Sequence, residues 1–479
     1  MSGYETLQMY IDGVWCDGSD GEYGEVINPA TEEALARLPH AGTADLDRAL
    51  QAAAKGFEVW RRTSPAERGK IMRKAADLMR ERLESIARTL TLEEGKTIGE
   101  SRAEVATSAD IIDWYGQEGQ RTYGRVIPPR SGDVRQIVVR EPIGPVAAFT
   151  PWNFPGVTPA RKIGGALGAG CSIIIKASEE TPGTCVAMVR ALADAGLPAG
   201  VCNLVFGVPA KISEYLIPSP IIRKVSFTGS IPVGKHLAQL AAQGMKPATM
   251  ELGGHSPVIV FDDVDVEKVA QITVAGKYRN AGQVCISPTR FFVHDAVYDK
   301  FVSTFSELAK ALPVGNGLDE ANRMGSLAND RRMSAMDEFI GDAVDKGAKL
   351  LAGGERIGNQ GFFYQPTVLG DVPDDARIMN EEPFGPVAPM QRWTTVDEMV
   401  KKANGLPYGL AAYAFTKSNQ RAAEIADALE SGMVGVNHLA ISLPETPFGG
   451  VKESGYGKEG GVEGLDSYMI SKFVTTTNA

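Results

Sequence analysis

The sequence predicts an α/β fold built on a doubly wound parallel sheet, with a second α/β section and a small β arm. From Pro142 onward, short continuous runs of apolar, β-branched residues alternate with helical segments. Ser172–Lys176 (SIIIK) is the clearest of these runs, and a second set of strands and helices fills residues 255–440. Such strands are buried on both faces, which is typical of parallel sheets covered by helices.

The N-terminal part carries signals of its own. Residues 7–40 alternate short β-like runs with turns, and so predict an N-terminal β section. Thr43 is a predicted N-cap for an Ala-rich amphipathic helix over about residues 44–60. The capping box Ser64–Glu67, with a proline in the first helical position, predicts a long helix to about Glu84.

Two segments suit an arm that extends from the main sheet. Arg135–Arg140 (RQIVVR) lies between turn signals and predicts a strand. The tail Ser471–Thr477 is β-branched and polar, which suits pairing with another strand, including one in a partner subunit. The sequence contains no internal repeat and no low-complexity linker, so composition alone does not fix the domain boundaries.

Composition argues against several classes of partner. The 479 residues are 43% hydrophobic and 23% charged, which is ordinary for a globular protein of two or more domains. The net charge of −10 argues against nucleic acid or an anionic membrane as the main partner. The five cysteines form no CxxC pair and no zinc-type spacing with histidine, so we expect no metal site and a reducing compartment. Because the N-terminus lacks a signal-peptide pattern and no run of 18 apolar residues occurs, the predicted location is the cytoplasm.

The stretch Lys277–Cys285 (KYRNAGQVC) places one cysteine directly after an Asn-Ala-Gly-Gln turn sequence. A thiol at the tip of a turn is accessible, and a polar or electropositive setting favours its reactive thiolate form. The commoner fate of a lone cysteine is that of a small buried hydrophobic residue. None of the histidines has the setting of a Cys-His pair, so a papain-like site has little support.

Two segments predict contacts to a nucleotide. Phe227–Gly234 (FTGSIPVG) joins a strand to a helix: Gly229 permits a tight turn, and the helix N-terminus favours a phosphate oxygen. A strand–helix turn that binds no phosphate is an equally supported interpretation of this segment. Lys176 ends the SIIIK strand, where ligands of doubly wound sheets bind, so its ammonium suits ribose hydroxyls. The Glu179 carboxylate suits a 2′-hydroxyl and would repel a 2′-phosphate, although an ordinary charged loop explains both residues as well.

Two further residues suit carbonyl chemistry. Asn153 lies in the loop Pro151–Pro155 (PWNFP), where two prolines hold its amide as a fixed donor for a developing oxyanion. Glu251 lies between an apolar strand and a Gly-Gly bend, 34 residues before Cys285. We therefore expect a raised pKa for Glu251, which suits a general base. Taken alone, such an asparagine is more often a turn former, and such a glutamate is more often ion-paired.

These segments, in this order and spacing, closely resemble the NAD(P)-dependent aldehyde dehydrogenase superfamily over essentially the whole chain. The resemblance is carried by PWNFP at 151, KASEETP at 176, FTGSIPVG at 227, ELGG at 251, GQVC ending at Cys285, EEPFGP at 381 and PFGG at 447. No single segment is diagnostic, but their joint occurrence by chance is negligible.

The resemblance implies an aldehyde dehydrogenase-like architecture in a homodimer or homotetramer. The implied parts are a Rossmann-type NAD-binding domain (1–119 and 141–251), an α/β catalytic domain (252–445) and a small β oligomerisation arm (120–140 and 458–479). The implied nucleophile towards a small-molecule aldehyde is Cys285, with Asn153 as oxyanion donor and Glu251 as the base that activates water. Glu251 also argues against the CoA-acylating branch, which lacks this base.

The resemblance also implies the cofactor and its contacts. NAD is the implied cofactor, with NADP possible as well, because Glu179 stands where NADP-preferring members tend to carry a small residue. The implied cofactor-binding residues are Thr150, Trp152, Lys176, Glu179, Gly229, Ser230, Glu382 and Phe384.

The wider sequence is most similar to succinate semialdehyde and 2-oxoglutarate semialdehyde dehydrogenases. Arg161 and Arg279 match arginines that clasp a distal carboxylate in that group, and a guanidinium pair suits a carboxylate. Structural ion pairing of the two arginines is the alternative. Phe154 and Phe448 are further implied substrate contacts.

One position leaves the substrate open. A serine that helps to bind the carboxylate in that group falls on Ser442 or on Leu443 of this sequence, and Leu443 would favour a longer or aromatic aldehyde. The expected substrate is therefore a short semialdehyde, with a broad aliphatic or aromatic aldehyde dehydrogenase as the alternative. A catalytically idle NAD-binding protein is a third hypothesis, against which the intact catalytic positions count.

Overall fold

In the computed structural model of this protein, residue 4 and residues 6–477 are described. The α-helices are α1 (Thr43–Trp60), α2 (Pro65–Glu81), α3 (Leu83–Glu94), α4 (Ile98–Glu118), α5 (Val157–Ala169), α6 (Pro182–Ala195), α7 (Pro209–Leu216), α8 (Ile231–Gln243), α9 (Val266–Tyr278), α10 (Asp295–Lys310), α11 (Asp330–Asp345), α12 (Arg377–Asn380), α13 (Val396–Asn404), α14 (Asn419–Ala428) and α15 (Gly461–Asp466). The β-strands are β1 (Met9–Ile11), β2 (Val14–Cys16), β3 (Tyr23–Ile27), β4 (Ala34–Pro39), β5 (Arg125–Ile127), β6 (Val134–Pro142), β7 (Val146–Phe149), β8 (Ile173–Lys176), β9 (Cys202–Val205), β10 (Lys224–Gly229), β11 (Ala248–Leu252), β12 (Ser256–Val260), β13 (Pro288–His294), β14 (Lys349–Ala352), β15 (Thr367–Gly370), β16 (Val387–Trp393), β17 (Ala411–Phe415), β18 (Met433–Val436), β19 (Gly455–Tyr456) and β20 (Met469–Thr477).

The starts of the first two helices follow capping signals of the sequence. The Ser64 side chain accepts the Glu67 N–H at 3.2 Å, which confirms the predicted start of α2. The predicted cap at Thr43 is wrong by one residue, because α1 begins at Thr43 and Gly42 is its N-cap. The Asp45 carboxylate accepts the Gly42 N–H at 3.0 Å, and this bond fixes the turn one residue earlier.

An eight-stranded sheet, ordered β19-β11-β10-β7-β8-β9-β1-β2, forms the larger half of the molecule. Its central strands β11, β10, β7, β8 and β9 are parallel, and β19 and β1 join them antiparallel at the two sides. From β7 the chain winds outward through β8 and β9, then returns to the other side of β7 with β10 and β11. The predicted doubly wound sheet is thus confirmed, and its switch point lies between β7 and β10. Ligands of such sheets bind in the crevice outside the carboxyl ends of the strands at this point.

A second, seven-stranded sheet is ordered β14-β15-β16-β13-β12-β17-β18, and all of its strands except β14 are parallel. Two separate hydrophobic cores accompany the two sheets. The first takes its buried residues from Leu7 to Leu252, with Leu465 and Tyr468 returning to it from near the C-terminus, and the second extends from Val258 to Phe448. The exact domain boundaries stay a prediction.

The arm is a three-stranded sheet ordered β20-β6-β5. The tail strand pairs with β6 of its own chain over nine residue pairs, from Met469 with Pro142 to Thr477 with Val134. Apolar side chains of this sheet, including Val126 and Phe473, are more than half exposed. Among the described residues, no helix is long and apolar enough to cross a membrane.

Candidate active site

One cavity of about 620 Å³ opens beside the switch point of the first sheet. Twelve of the fifteen predicted site residues line it: Trp152, Asn153, Phe154, Arg161, Gly229, Ser230, Glu251, Arg279, Cys285, Glu382, Phe384 and Phe448. The other three, Thr150, Lys176 and Glu179, lie at or just after the ends of β7 and β8. The fold therefore brings residues that are up to 296 positions apart in the sequence to one enclosed space.

Cys285 follows a strained turn that ends in the cavity wall. Asn280 and Ala281 have φ angles of 49° and 50°, in the left-handed region that residues with a Cβ rarely adopt. Two bonds hold this turn: the Asn280 N–H donates to Glu100 Oε1 at 2.8 Å, and the Asn280 amide donates to the Asn153 carbonyl at 3.0 Å. Strain of this kind persists where surrounding contacts over-determine the backbone, which is typical of functional sites.

The environment of Cys285 favours the protonated thiol. Burial raises the pKa of this thiol from about 9 to about 12, and the carboxyls of Glu382 and Glu251 act in the same direction. The Arg279 guanidinium acts in the opposite direction but does not offset burial. The environment of the sulfur is therefore not the electropositive one that the sequence had suggested, because two carboxyl groups and one arginine act on it.

This pKa predicts slow alkylation of Cys285 at neutral pH in the enzyme without ligands. The thiolate is the reacting form, so the rate should rise about tenfold per pH unit from pH 7 to 10 without levelling off. Iodoacetamide labelling followed by mass spectrometry of the peptide that contains Cys285 measures this rate. Because Cys16 is also partly exposed, a Cys285→Ala variant gives the background. A plateau near pH 8 would contradict the raised pKa.

Hydrogen bonds to the side-chain amide and to the backbone carbonyl of Asn153 hold this residue in place. One hydrogen of its side-chain amide is donated to the Gln283 carbonyl, at an N···O distance of 3.0 Å. The second amide hydrogen of Asn153 takes no part in this bond. Its backbone carbonyl accepts from Lys96 Nζ at 2.7 Å as well as from Asn280. The buried Lys96 ammonium also donates to Glu104 Oε2 at 2.6 Å, so the loop that carries Asn153 is fixed to the preceding helices. This arrangement supplies the preorganised N–H donor that the proline-flanked loop predicted.

Glu251 is the last but one residue of β11 and is only 3% exposed. Among the described residues, neither of its carboxyl oxygens has a hydrogen-bond partner, and its Oε1 lies so near Gly449 that a Cβ there would be 2.6 Å away. Burial raises the pKa of Glu251 well above 4.5, and the neighbouring Glu459 raises it further. The raised pKa expected from the sequence is therefore confirmed in direction.

A buried ion pair next to Glu251 was not predicted from the sequence. Lys162 Nζ donates to Glu459 Oε1 at 2.6 Å and to Ser226 Oγ at 3.1 Å, and Glu459 lines the cavity. Lys162 lowers the pKa of Glu251, while Glu459 raises it. The sequence feature that could have predicted this ion pair is the charged pair Arg161–Lys162 inside an apolar helix, since charges in such a helix are buried only when they are paired.

The switch-point end of the cavity has free donors for an anionic ligand. Ser230 is the N-cap of the 13-residue helix α8 and makes no side-chain capping bond, so the first N–H groups of α8 lack that partner. The buried hydroxyls of Thr150 and Thr228 also have no hydrogen-bond partner within residues 4 and 6–477. Lys176 forms an ion pair with Glu179 at the end of β8. A helix N-terminus with unpaired hydroxyls beside it fits the pyrophosphate and ribose of a dinucleotide.

Gly229 is required here for a different reason from the one that the sequence suggested. Its φ is not positive, so the turn itself does not need glycine. A Cβ at this position would instead collide with the ring of Phe227.

The opposite wall carries Glu382 and Phe384. The Glu382 carboxyl accepts the Gly254 N–H at 3.2 Å, and burial raises its pKa to about 7 against the opposing effects of that bond, Arg332 and Lys277. The Phe384 ring meets the Trp152 ring edge to face, with 5.6 Å between the centroids. Aromatic side chains from the two halves of the molecule therefore touch across the cavity.

The other end of the cavity contains two arginines, each over an aromatic ring. The Arg161 guanidinium lies 4.8 Å from the centre of the Phe448 ring, and the Arg279 guanidinium lies 5.6 Å from that of Phe154. Arg161 is 2% exposed, and its NH1 group is buried without a hydrogen-bond partner in the part of the chain that the structure describes.

The structure decides between the two positions that the sequence left open. The Arg161 NH2 group donates to Ser442 Oγ at 3.0 Å, and Ser442 lines the cavity. Leu443 is 43% exposed and is not part of the lining. Ser442 rather than Leu443 therefore contributes to the cavity wall, and a buried guanidinium with an unpaired donor favours an anionic group on the ligand.

A parallel sheet with a dinucleotide-sized crevice at its switch point, next to a thiol and an amide donor, defines a class of protein: a dinucleotide-dependent oxidoreductase of carbonyl compounds. The chain belongs to the aldehyde dehydrogenase family, which it matches over residues 15–474. The resemblance seen in the sequence motifs is confirmed, and so are the fold and the aldehyde dehydrogenase activity that it implied. Members of the family use NAD(P), and relatives of this chain are named for NADP or were solved with NAD+.

Relatives with several substrates cover nearly the whole chain. A 4-(hydroxymethyl)benzenesulfonate dehydrogenase from Comamonas testosteroni is 47% identical over 98% of each chain. A 3-sulfolactaldehyde dehydrogenase from Pseudomonas putida is 41% identical over 98% of this chain and 96% of its own. The crystal structure of a succinate-semialdehyde dehydrogenase from Burkholderia pseudomallei is 41% identical, with a TM-score of 0.97 over 100% of this chain and 99% of the other.

Proposed function

We propose that this aldehyde dehydrogenase oxidises a short aldehyde with an anionic group at its far end, with succinate or 2-oxoglutarate semialdehyde as the leading candidates. The observation that carries the proposal is the buried Arg161 guanidinium, which has one unpaired donor and bonds Ser442 in the cavity wall. A cation held in a buried site needs a partner, and a carboxylate supplies two acceptor oxygens. Arg279 adds a second guanidinium on the same cavity.

In the proposed mechanism, Cys285 Sγ forms a bond to the aldehyde carbon, and the resulting oxyanion accepts hydrogen bonds from the Asn153 amide and the Cys285 backbone N–H. Donors that are already in place cost no reorganisation as the charge develops. The cofactor, when bound, supplies the hydride acceptor. Loss of hydride from the thiohemiacetal leaves a thioester on Cys285. Glu251 then takes a proton from water, which hydrolyses the thioester to the carboxylic acid.

The same carboxylate has a second task in this proposal. Because the Cys285 thiol is protonated at neutral pH, it needs a base before it attacks, and Glu251 acts on its pKa from nearby. The buried Lys162–Glu459 ion pair lies beside Glu251 and acts on its pKa.

NAD is the proposed preferred cofactor, held by the N-terminus of α8, by Lys176 and by Glu382. The ion pair of Lys176 with Glu179 supports NAD over NADP, since it leaves the lysine less available to a 2′-phosphate, which the Glu179 carboxylate would also repel. A comparison of kcat/KM for NAD+ and NADP+ in the wild type and in Glu179→Gln checks this preference.

Replacing Arg161 with leucine should separate anionic from neutral substrates. The loss of a buried charge-assisted bond to substrate should lower kcat/KM for succinate semialdehyde by roughly 10- to 100-fold, and should lower it much less for hexanal. NADH absorbance with both aldehydes, in the wild type and in Arg161→Leu, measures this difference. Equal losses on both substrates, or a wild type that prefers hexanal or benzaldehyde, would overturn the semialdehyde proposal. Arg279→Leu tests the second guanidinium in the same assay.

An aromatic aldehyde with a ring sulfonate is the second candidate. Phe154 and Phe448 place aromatic faces beside the two arginines, and a sulfonate offers acceptor oxygens as a carboxylate does. The relative named for 4-(hydroxymethyl)benzenesulfonate supports the same idea. A higher kcat/KM for 4-formylbenzenesulfonate than for both benzaldehyde and succinate semialdehyde would select this candidate.

A homodimer or homotetramer in the cytoplasm completes the proposal. The exposed apolar side chains Tyr123, Val126 and Phe473 of the arm suit burial against a second copy of the chain. Light scattering of the purified protein measures the mass.

A further inference from the structure

The N-terminus of α11 connects the two walls of the cofactor end of the cavity. Asn329 caps this helix, because its Oδ1 accepts the Arg332 N–H at 3.2 Å. The Asn329 amide donates to Glu180 Oε2 at 2.7 Å, and the Arg331 guanidinium donates to Glu180 Oε1 at 2.8 Å. Glu180 lies in the loop after β8, next to Lys176 and in the first sheet's half of the molecule.

Arg332, one residue further on, connects the same helix to the other wall. Its NH2 group donates to the Pro383 carbonyl, between Glu382 and Phe384. Phe384 has a φ of 46°, a left-handed conformation that a bulky side chain rarely adopts, so the loop 381–386 needs outside contacts to keep its shape. The bond from Arg332 is such a contact.

The Arg332 side chain is not fully satisfied by protein groups. Its Nε–H is buried and has no hydrogen-bond partner among the residues that the structure describes, and the side chain lines the cavity together with Glu382. The Glu382 carboxyl is among the charged groups that act on Arg332. A buried donor of a charged group that lacks a partner is costly, so an acceptor arriving in the cavity would complete this site.

We propose that Arg332 is a cofactor-positioning residue, which holds the loop of Glu382 and Phe384 in its binding shape while Asn329 and Arg331 hold the same helix to Glu180. Asn329, Arg331 and Arg332 thus form a brace that sets the distance between the loop after β8 and the loop of Glu382, both of which are proposed to hold the cofactor. The inference rests on the proposed cofactor site. It adds residues that none of the sequence motifs contains.

Fluorescence titration with NADH tests the brace without relying on turnover. Arg332→Met should raise the Kd of NADH about tenfold, and Arg332→Lys, which keeps the charge but not the forked geometry, should raise it less. Glu180→Gln should raise the Kd about threefold, because it weakens a bridge that is partly exposed to solvent. Arg323→Met, which removes a surface guanidinium that bonds only nearby carbonyls, should leave the Kd unchanged.

The outcomes separate this inference from the proposed function. A wild type that does not bind NADH would overturn the cofactor site itself. A wild type that binds, with Kd values of Arg332→Met and Glu180→Gln within twofold of it, would overturn the brace alone. Thermal unfolding of each variant shows whether it is folded. If Arg332→Met does not fold, the Kd of Glu180→Gln still decides the test.

Discussion

Replacing Cys285 with alanine is expected to reduce aldehyde-dependent NADH formation by roughly 10⁴-fold or more, the scale found when a catalytic nucleophile is removed. The physical reason is that no other thiol lines the cavity among the described residues, so no other side chain there can supply the sulfur of the thioester. Without the sulfur, no covalent intermediate forms, and the amide of Asn153 has no oxyanion to stabilise. NADH absorbance at saturating aldehyde measures the loss.

Two measurements make this expectation specific to the sulfur. NADH binding by Cys285→Ala should stay within a few-fold of the wild type, because the sulfur is not proposed to hold the cofactor. Cys16→Ala removes the other partly exposed thiol, which is far from Cys285 in the sequence. This variant should keep full activity. Substantial turnover by Cys285→Ala would rule out the thioester mechanism.

Replacing Glu251 with glutamine is expected to slow steady-state turnover by roughly 10²- to 10⁴-fold, the range for a positioned general base. Glutamine keeps the size of the side chain but cannot take a proton from water. If its main task is hydrolysis of the thioester, the first turnover should survive as a burst of NADH close to the enzyme concentration, followed by a slow phase. If Glu251 also deprotonates Cys285, the burst itself should be slower than in the wild type. Stopped-flow absorbance resolves the two phases.

The pH dependence of the wild type follows from the same carboxyl group. Because burial holds the pKa of Glu251 well above 4.5, the base is protonated over a wider acidic range than an ordinary glutamate. Activity should therefore fall as the pH decreases through a value well above 4.5, and this limb should be missing in the residual activity of Glu251→Gln. Glu267→Gln, at an exposed glutamate paired with Lys300, is the matched control and should retain the wild-type profile. An unchanged steady-state rate in Glu251→Gln would remove this residue from the mechanism.

Local sequence signals were sufficient where the physics is local. Turn and capping residues such as Ser64 act within one helical turn, and β-branched runs such as Ser172–Lys176 identify buried strands by themselves. Where residues distant in the sequence act on a side chain, the prediction from the local sequence differed from the structure. The Cys285 thiol has a raised pKa because burial and the carboxyl of Glu382 outweigh the nearby Arg279.

The sequence by itself determined the α/β class, the doubly wound parallel sheet and the family, because these depend on periodicity, caps and short motifs. Only the tertiary structure joined Lys162 to Glu459, 297 residues away, and Arg161 to Ser442, 281 residues away. Whether a buried charge is paired, or keeps a free donor for a ligand, depends on what the fold packs against it. Desolvation makes that difference large, and no local pattern in the chain records it.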